Sequence, residues 1–261
     1  MYASGTTGLP KGVMLSQANL AANARAITQK HRFHPPDRVL GVSPPEHVRG
    51  FEARFGIGVI ETMGLTETAA PSFSNPLDAA QRKLGAVGRA SGGEARIIDA
   101  QLQPVPDGQT GELAIRGPHL MQGYYKNPEA TAQASTADGW LRAGDLGHRD
   151  GDGFFFVTGR IKELIIKGGE NIAPREIDEV LLQHPAVLEA AAVGMPDRLY
   201  GQDILACVVL REGMAVDEAG LRAFCEQHLG RYKTPKLIRF QAALPRGPSG
   251  KVQRLKLLDA G

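Results

Sequence analysis

The chain is organised around residues 158–182, where an apolar run gives way to a glycine pair and then to apolar residues at helical spacing. The run at 164–166 predicts a short strand, and Gly168-Gly169 predicts a turn after it. Pro174 predicts the first turn of a helix, because the N–H that proline lacks has no helical partner there. The apolar positions on one face of this helix are Ile177, Val180 and Leu181. Pro185 ends the helix.

Downstream of this stretch the pattern predicts a compact α+β lobe of about a hundred residues, enough for a core of its own. The predicted elements are a helix at 174–183, strands at 187–193 and 204–210, a helix at 217–229 and a strand at 237–240.

Upstream, Ser16 predicts the N-cap of an alanine-rich helix that runs to about Lys30. Residues 37–43 then predict a strand, residues 44–58 a helix, and the apolar group Ile57, Val59 and Ile60 a strand. From 85 to 125 short apolar strands, including 95–99 and 112–117, alternate with glycine turns, which predicts antiparallel β structure.

Length, composition and charge limit the number of domains and the class of protein, but they do not indicate a function. A length of 261 residues allows one large or two ordinary domains, and 42% hydrophobic with 22% charged residues is typical of a soluble globular protein. A net charge of +2 gives no argument for nucleic acid or an acidic membrane. Cys207 and Cys225 lack metal-type spacing, which favours buried thiols in a reducing compartment. Without a signal region or a bilayer-length apolar run, a soluble cytoplasmic protein is expected.

A glycine- and threonine-rich stretch near the start, Y-A-S-G-T-T-G-L-P-K-G-V, has the residue types of an anion-binding loop. Glycines let backbone N–H groups turn onto an anion, hydroxyls add donors, and a lysine adds charge. The candidate residues are Ser4, Gly5, Thr6, Thr7, Gly8 and Lys11. The spacing is not that of a Walker loop, so the stretch taken alone favours an ordinary loop over a phosphate-binding one.

Three segments together resemble the adenylate-forming (AMP-binding) enzymes, in their acyl-CoA synthetase or fatty-acid–CoA ligase version. They are S-G-T-T-G-L-P-K-G-V near the start, T-G-R-I-K-E-L-I-I-K-G-G-E-N-I-A-P-R-E-I-D-E-V-L at 158–181, and P-S-G-K-V-Q-R near the end. The resemblance implies a mixed α/β and α+β fold. It comprises an incomplete N-terminal domain with a β-rich subdomain, and a small α+β C-terminal lobe.

The resemblance also implies roles for the nucleotide-facing residues. The loop from Ser4 to Lys11 grips the ATP phosphates, Thr66 contacts the α-phosphate, and Glu67 holds Mg²⁺. The implied contacts to the rest of the nucleotide are Met63, Gly64, Asp145 at the ribose, and Arg160. Methionine at 63 departs from the family, which usually places a tyrosine against the adenine.

In the C-terminal part, the resemblance makes Lys251 the catalytic lysine that bridges the acid carboxylate and the nucleotide. Lys162 becomes the hinge about which the small lobe swings between two half-reactions. Gly168 and Gly169 line the passage for coenzyme A. The implied co-substrates are ATP, Mg²⁺, coenzyme A and a small carboxylic acid, with no nucleic acid partner, and the sequence does not identify the acid.

The expected domains are 1–160, a partial AMP-binding domain, and 161–261, the C-terminal lobe. The first divides into a phosphate-loop part (1–43), a nucleotide-binding part (44–84) and the β-rich subdomain (85–160). In the family the phosphate loop follows a long upstream segment, and most of the acyl pocket lies between segments that meet here near Ser43-Pro44. The chain is therefore expected to be shortened at its N-terminus and internally deleted.

Two other functions remain open at this point. One is the adenylation domain of a peptide synthetase, although the hinge sequence K-E-L-I-I-K-G-G-E-N-I resembles that of the CoA ligases. The other is a catalytically impaired fragment or nucleotide-binding remnant without an acyl pocket. A calcium loop at Asp150-Gly151-Asp152-Gly153 is excluded because the twelfth position, Ile161, has no carboxylate, so a hairpin turn is expected there.

Overall fold

The computed structural model describes residues 1–3, 11–32, 51–247 and 250–259. They form two compact units, the first extending to Val157 and the second beginning at Thr158. Several predicted features lie outside the described residues: the phosphate-loop residues Ser4–Gly8, the strand at 37–43, the first part of the helix at 44–58, and Pro248-Ser249.

The first unit combines α-helices with short antiparallel sheets. The helices are α1 (Gln17–His31) and α2 (Pro128–Gln133), and residues 51–55 are also helical. The strands are β1 (Tyr2–Ala3), β2 (Lys11–Met14), β3 (Thr62–Met63), β4 (Phe73–Ser74), β5 (Arg89–Ala90), β6 (Glu94–Ile98), β7 (Gly111–Arg116), β8 (Gly123–Tyr124), β9 (Leu141–Arg149) and β10 (Phe155–Arg160). The last three residues of β10 belong to the second unit. The strand orders are β1-β2-β8, β3-β4-β5 and β10-β9-β7-β6.

Helix α1 begins where the sequence predicts. Ser16 is its N-cap, with the Oγ accepting a hydrogen bond from the Asn19 N–H at 3.1 Å. The Asn19 Oδ1 accepts in return from the Ser16 N–H at 2.8 Å, which completes a capping box. These bonds satisfy N–H groups that have no partner within the helix.

A hydrophobic core cluster of the first unit includes residues of the region 85–125, where the sequence predicts antiparallel strands separated by glycine turns. Phe73 and Phe155 pack with their ring centroids 5.1 Å apart. The other fully buried members of this cluster are Ile97, Leu113 and Ile115. Strands β6 and β7 pair antiparallel, with Ile97 opposite Leu113, so the predicted β-rich region is confirmed. The hairpin turn at 150–153 is confirmed as well, since the Gly153 N–H bonds to the Asp150 carbonyl at 2.9 Å.

Two element predictions in the first unit are wrong. Residues 57–60 form no strand, because side chains occupy the backbone groups that a ladder needs. The Val59 N–H donates to Glu52 Oε1 at 2.7 Å, and the Val59 carbonyl accepts from Arg82 Nη1 at 3.1 Å. The helix predicted to reach residue 58 ends at residue 55, since Gly56 adopts a left-handed conformation with φ 64°.

The second unit is the predicted α+β lobe. Its helices are α3 (Pro174–Gln183) and α4 (Glu218–Lys233), and its strands are β11 (Ile165–Lys167), β12 (Glu170–Ile172), β13 (Val187–Asp197), β14 (Gly201–Leu210) and β15 (Leu237–Phe240). The strand order is β12-β11-β14-β13, with β15 parallel to β14. Helix α3 has Pro174 in its first turn, as predicted. Helix α4 exceeds its predicted end because it continues past a kink at Gly230 (φ 74°). The mixed fold class is confirmed.

Strand β14 is buried on both faces. Ile204, Ala206 and Val208 point into a cluster with the helices, while Leu205, Cys207 and Val209 point to the opposite side. That opposite side is covered by residues near the end of the chain, Leu244 and Leu257. Because neighbouring strand residues face opposite sides, a continuous apolar run is the expected sequence of such a strand. Both cysteines are buried free thiols, as predicted.

Two buried histidines predict that the first unit loses stability in acid. His31 is 7% exposed, with Nε2 2.9 Å from Ser74 Oγ, and His119 is 1% exposed beside Gly93 and Gly117. Burial lowers the pKa of both imidazoles, because the charged form loses its hydration.

The free energy of unfolding of the first unit should therefore fall as the pH is lowered through about 6.5, where the unfolded histidines take up protons that the folded ones resist. Each group adds a slope of at most about 1.4 kcal/mol per pH unit. Urea unfolding followed by the fluorescence of Trp140 at pH 7.5 and 5.5 measures this, since the chain has one tryptophan. In the variant His119→Asn, the free energy of unfolding should depend less steeply on pH than in the unmodified chain. Equal slopes in the variant and the unmodified chain would contradict the assignment.

Candidate active-site residues in the two units

In the first unit, a one-turn 3-10 helix, Thr66–Thr68, carries two of the predicted site residues. Thr68 is buried, and its hydroxyl donates to the Leu65 carbonyl at 3.0 Å and accepts from the Leu65 N–H at 3.1 Å. From α1, the Asn23 amide donates to the Thr68 carbonyl at 3.1 Å. The helix that follows the glycine- and threonine-rich loop thus fixes the turn, while Thr66 and Glu67 stay partly exposed.

A tyrosine that the sequence reasoning did not single out contacts two predicted site residues. The Tyr124 hydroxyl donates to Glu67 Oε1 at 2.7 Å, and Lys11 Nζ lies 4.7 Å from the centroid of the Tyr124 ring. Strand pairing explains the meeting of Lys11 and Tyr124, since β2 carries Lys11 and pairs with β8, where Val13 lies opposite Tyr124. The Met121 N–H also donates to the Glu67 carbonyl at 2.7 Å. The only sequence signal for Tyr124 was the Gly-Tyr pair at 123–124, which is too short to mark a functional residue by itself.

The predicted magnesium ligand fits that ion by its donor chemistry. Mg²⁺ is usually held by one or two carboxylates together with substrate phosphates. Among the described side chains, Tyr124 alone donates to the Glu67 carboxylate, so Oε2 is left for a ligand. Within the same described ranges, no group of three or more His, Cys, Asp or Glu residues could hold a metal without substrate.

Met63 and Gly64 lie just before this turn. Met63 on β3 pairs with Phe73 and packs at the edge of the Phe73 cluster, so it is half-buried. Gly64 has no room for a side chain, because a Cβ there would lie 2.6 Å from Pro71 Cα. The predicted contact of Met63 with an adenine ring stays a prediction.

Asp145 lies on β9 and is 2% exposed. The strand around it is fixed by Glu112, whose Oε1 accepts from the Gly144 N–H at 3.2 Å. The Glu112 Oε2 accepts two hydrogen bonds from Arg142, at 2.9 and 2.7 Å. The register between β7 and β9 shifts at this point, which is the signature of a bulge. The assignment of Asp145 to the ribose stays a prediction.

In the second unit, Lys251 is exposed at the end of a tight loop. The Gly247 N–H donates to the Lys251 carbonyl at 2.9 Å, and Gly250 adopts φ 77°. Buried Leu244 precedes the loop and buried Leu257 follows it, both packed on β14. The Lys251 side chain is therefore exposed, while the residues before and after the loop are anchored in the core.

Arg254, three residues after Lys251, connects this segment by an ion pair to Glu163, near the start of the second unit. Its guanidinium contacts Asp178 Oδ2 at 2.5 Å and Glu163 Oε2 at 3.1 Å, and donates to the Ala192 carbonyl at 2.9 Å. Glu163 belongs to the 3-10 turn Ile161–Glu163, which carries the predicted hinge residue Lys162. Lys162 is exposed and Arg160 is partly buried at the end of β10.

The Gly168-Gly169 turn is held by a buried ion pair. Lys167 Nζ lies 2.7 Å from Asp203 Oδ1, with both side chains less than 10% exposed (8% and 7%). The Gly168 N–H donates to the Tyr200 carbonyl at 2.9 Å, and the Tyr232 hydroxyl donates to the Lys167 carbonyl. Both glycines have positive φ, 53° and 89°, which explains why glycine is needed there. Beside the turn lies a cleft of about 520 Å³, lined in part by Arg222, Arg231 and Lys236.

Sequence profiles identify the family. The profile of the AMP-binding enzymes matches residues 1–51 and 41–125, and that of the AMP-binding enzyme C-terminal domain matches 176–251. The chain belongs to the AMP-binding, adenylate-forming enzymes. The resemblance predicted from the motifs is confirmed.

The relatives of this AMP-binding chain include several CoA ligases. It is 50% identical over 336 residues to the sulfoacetate–CoA ligase of Cupriavidus necator, an alignment covering 99% of this chain and 66% of that ligase. It is 42% identical to the oxalate–CoA ligase of Arabidopsis thaliana, over 78% of this chain and 40% of that ligase. ATP-bound MatB from Rhodopseudomonas palustris superposes with a TM-score of 0.92 at 29% identity, covering 99% of this chain and 67% of that one.

The chain spans less than two thirds of these two ligases' own length. The aligned region of the sulfoacetate ligase, 336 residues, is also longer than this whole chain of 261. Since 99% of the chain is aligned, the ligase carries an internal segment that is missing here. The two profile matches, 1–51 and 41–125, overlap at 41–51, a range that contains Ser43-Pro44, which is consistent with the predicted internal deletion.

None of the helices in the described ranges combines the length and the hydrophobicity that a membrane-spanning helix requires.

Proposed function

We propose that this chain is an acid–thiol ligase that activates a carboxylic acid with ATP and then transfers the acyl group to coenzyme A. In the first step the carboxylate attacks the α-phosphate, giving an acyl-adenylate and pyrophosphate. In the second the thiol of coenzyme A displaces AMP. The observation that carries the proposal is the convergence of Lys11 and Glu67, two residues assigned to ATP and its metal, on one side chain, Tyr124.

The first step needs positive charge around the triphosphate, because a negatively charged carboxylate must approach the negatively charged α-phosphate. Lys11 supplies one cation from β2. Glu67 is the proposed ligand for Mg²⁺, which neutralises phosphate charge when bound. Thr66, Met63, Gly64, Asp145 and Arg160 are the proposed contacts to the α-phosphate, base and ribose. Lys251 is the proposed cation for the carboxylate, and Lys162 the proposed hinge residue.

Two observations support the second step. The relatives reported above are CoA ligases, which favours coenzyme A over the carrier protein of a peptide synthetase. The cleft beside Gly168 is lined by Arg222, Arg231 and Lys236 together with Asp203 and Glu226. Because Lys236 pairs with Asp197 and Arg222 with Glu218, Arg231 is the lining cation proposed to contact a phosphate of coenzyme A. Gly168 and Gly169 are proposed to lie along the pantetheine arm.

A nucleotide-binding remnant is the second candidate, and the missing internal segment specifically favours it. Such a chain would bind ATP through the first unit without activating an acid.

Isotope exchange between pyrophosphate and ATP separates these functions. The chain should catalyse exchange only when an acid is present, and a panel can start from the acids of its relatives: sulfoacetate, oxalate, indoleacetate and 2-succinylbenzoate. Mass spectrometry should then find the matching CoA thioester after coenzyme A is added. ATP binding without exchange for any acid would support the remnant, and absence of ATP binding would contradict both candidates.

A further inference from the structure

We infer that Tyr124 is a positioning residue that sets the magnesium affinity of the adenylation site by holding the Glu67 carboxylate. The inference rests on the proposed function of Glu67 as a metal ligand. It adds a residue to which neither the motifs nor the comparisons assign a role.

Geometry is the first argument. The Tyr124 hydroxyl donates to Glu67 Oε1 at 2.7 Å, a normal length for a hydrogen bond to a carboxylate. This bond fixes one carboxylate oxygen and leaves Oε2 as the oxygen to which no described side chain donates a hydrogen bond. A glutamate without such a partner must give up side-chain freedom when it binds a cation.

Burial is the second argument. Tyr124 is 8% exposed, so its hydroxyl lies inside the unit rather than in solvent. Because Tyr124 sits in β8 beside β2, the position of its ring is set by backbone pairing rather than by ligand.

The third argument is that the same ring contacts Lys11. Its Nζ lies 4.7 Å from the ring centroid, within the range of a cation–π contact. The ring thus contacts the Lys11 ammonium, whereas the hydroxyl donates to the Glu67 carboxylate. The two contributions can be separated by mutation, because phenylalanine keeps the ring and removes only the hydroxyl.

The test measures binding of a fluorescent ATP analogue to the full chain as Mg²⁺ is titrated, and separately without metal. In Tyr124→Phe the Mg²⁺ concentration at half-saturation should rise by about 10- to 100-fold, the usual effect of losing a partner that orients a metal ligand. Excess Mg²⁺ should restore full binding, and metal-free binding should be unchanged. Tyr124→Leu, which also removes the ring, should weaken metal-free binding as well.

Tyr125 provides the matched control. It is the next residue, 61% exposed, and its hydroxyl has no hydrogen bond with any described residue, so Tyr125→Phe should change nothing. An unchanged Mg²⁺ requirement in Tyr124→Phe would overturn the inference and leave the proposed function intact. A parallel loss of metal-free binding and of Trp140-monitored stability in Tyr124→Phe would also overturn it, since that is a structural role. If the unmodified chain binds no nucleotide, the proposed function fails and the inference fails with it.

Discussion

Replacing Lys251 with alanine should lower acid-dependent pyrophosphate exchange by about 100- to 1000-fold, the scale seen when one group that stabilises transition-state charge is removed. The reason is specific to the reaction, because a carboxylate and a phosphate must approach each other and an ammonium between them offsets their repulsion. The structure indicates that the substitution should not disturb the fold. Lys251 is exposed, and its loop is closed through its backbone carbonyl rather than its side chain.

Exchange rates at saturating ATP and acid, with ATP affinity measured separately, test this prediction. ATP affinity should stay within about threefold of the unmodified chain, since the lysine is assigned to the transition state rather than to ground-state binding. Lys256→Ala is the matched control, because Lys256 is exposed in the same segment and forms no ion pair with a described residue. A Lys251→Ala chain that retains the exchange rate of the Lys256→Ala chain would remove Lys251 from the mechanism.

Replacing Arg254 with alanine should destabilise the second unit by about 3–5 kcal/mol, because it leaves the buried carboxylate of Asp178 without its cation. The Asp178 side chain is 9% exposed and the Arg254 side chain 18%. The same substitution removes the Glu163 contact and the hydrogen bond to the Ala192 carbonyl. Scanning calorimetry should show a lower midpoint for the second unit, while the Trp140 signal from the first unit stays unchanged.

Arg246 offers a control of the same residue type in the same unit. Its guanidinium lies 2.9 Å from Glu189, but the two side chains are 45% and 35% exposed. Arg246→Ala should therefore cost less than about 1 kcal/mol. Adding Asp178→Asn to Arg254→Ala should recover part of the loss, because the unpaired charge disappears while an oxygen remains for the Ala192 N–H. Equal costs for the two arginines would show that the buried network contributes no more than a surface pair.

Local sequence signals predicted much of the fold. Both ends of α3 follow from Pro174 and Pro185, and the start of α1 follows from the Ser16 cap, because each residue acts on its own backbone. The strand predicted at 57–60 was wrong for the opposite reason. Its backbone is bonded to Glu52 and Arg82, and no hydrophobic pattern reports such bonds.

The candidate site could be predicted only where a motif places residues together. The motifs predicted Glu67, Lys11 and Lys251 as site residues, but not the groups that the structure places around Glu67 and near the Lys251 loop. Tyr124 is 57 residues from Glu67, and Arg254 is 76 residues from Asp178. Partners so distant in sequence become visible only when the chain folds, because a single sequence contains no record of which distant side chains meet.

The burial of β14 on both faces has a consequence for synthesis. Domains generally fold as units while the ribosome is still adding residues. One face of this strand is covered by Leu257, so the second unit cannot complete its interior until that residue has left the exit tunnel. Until then the face of β14 that carries Cys207 and Val209 lacks its Leu257 cover on the nascent chain.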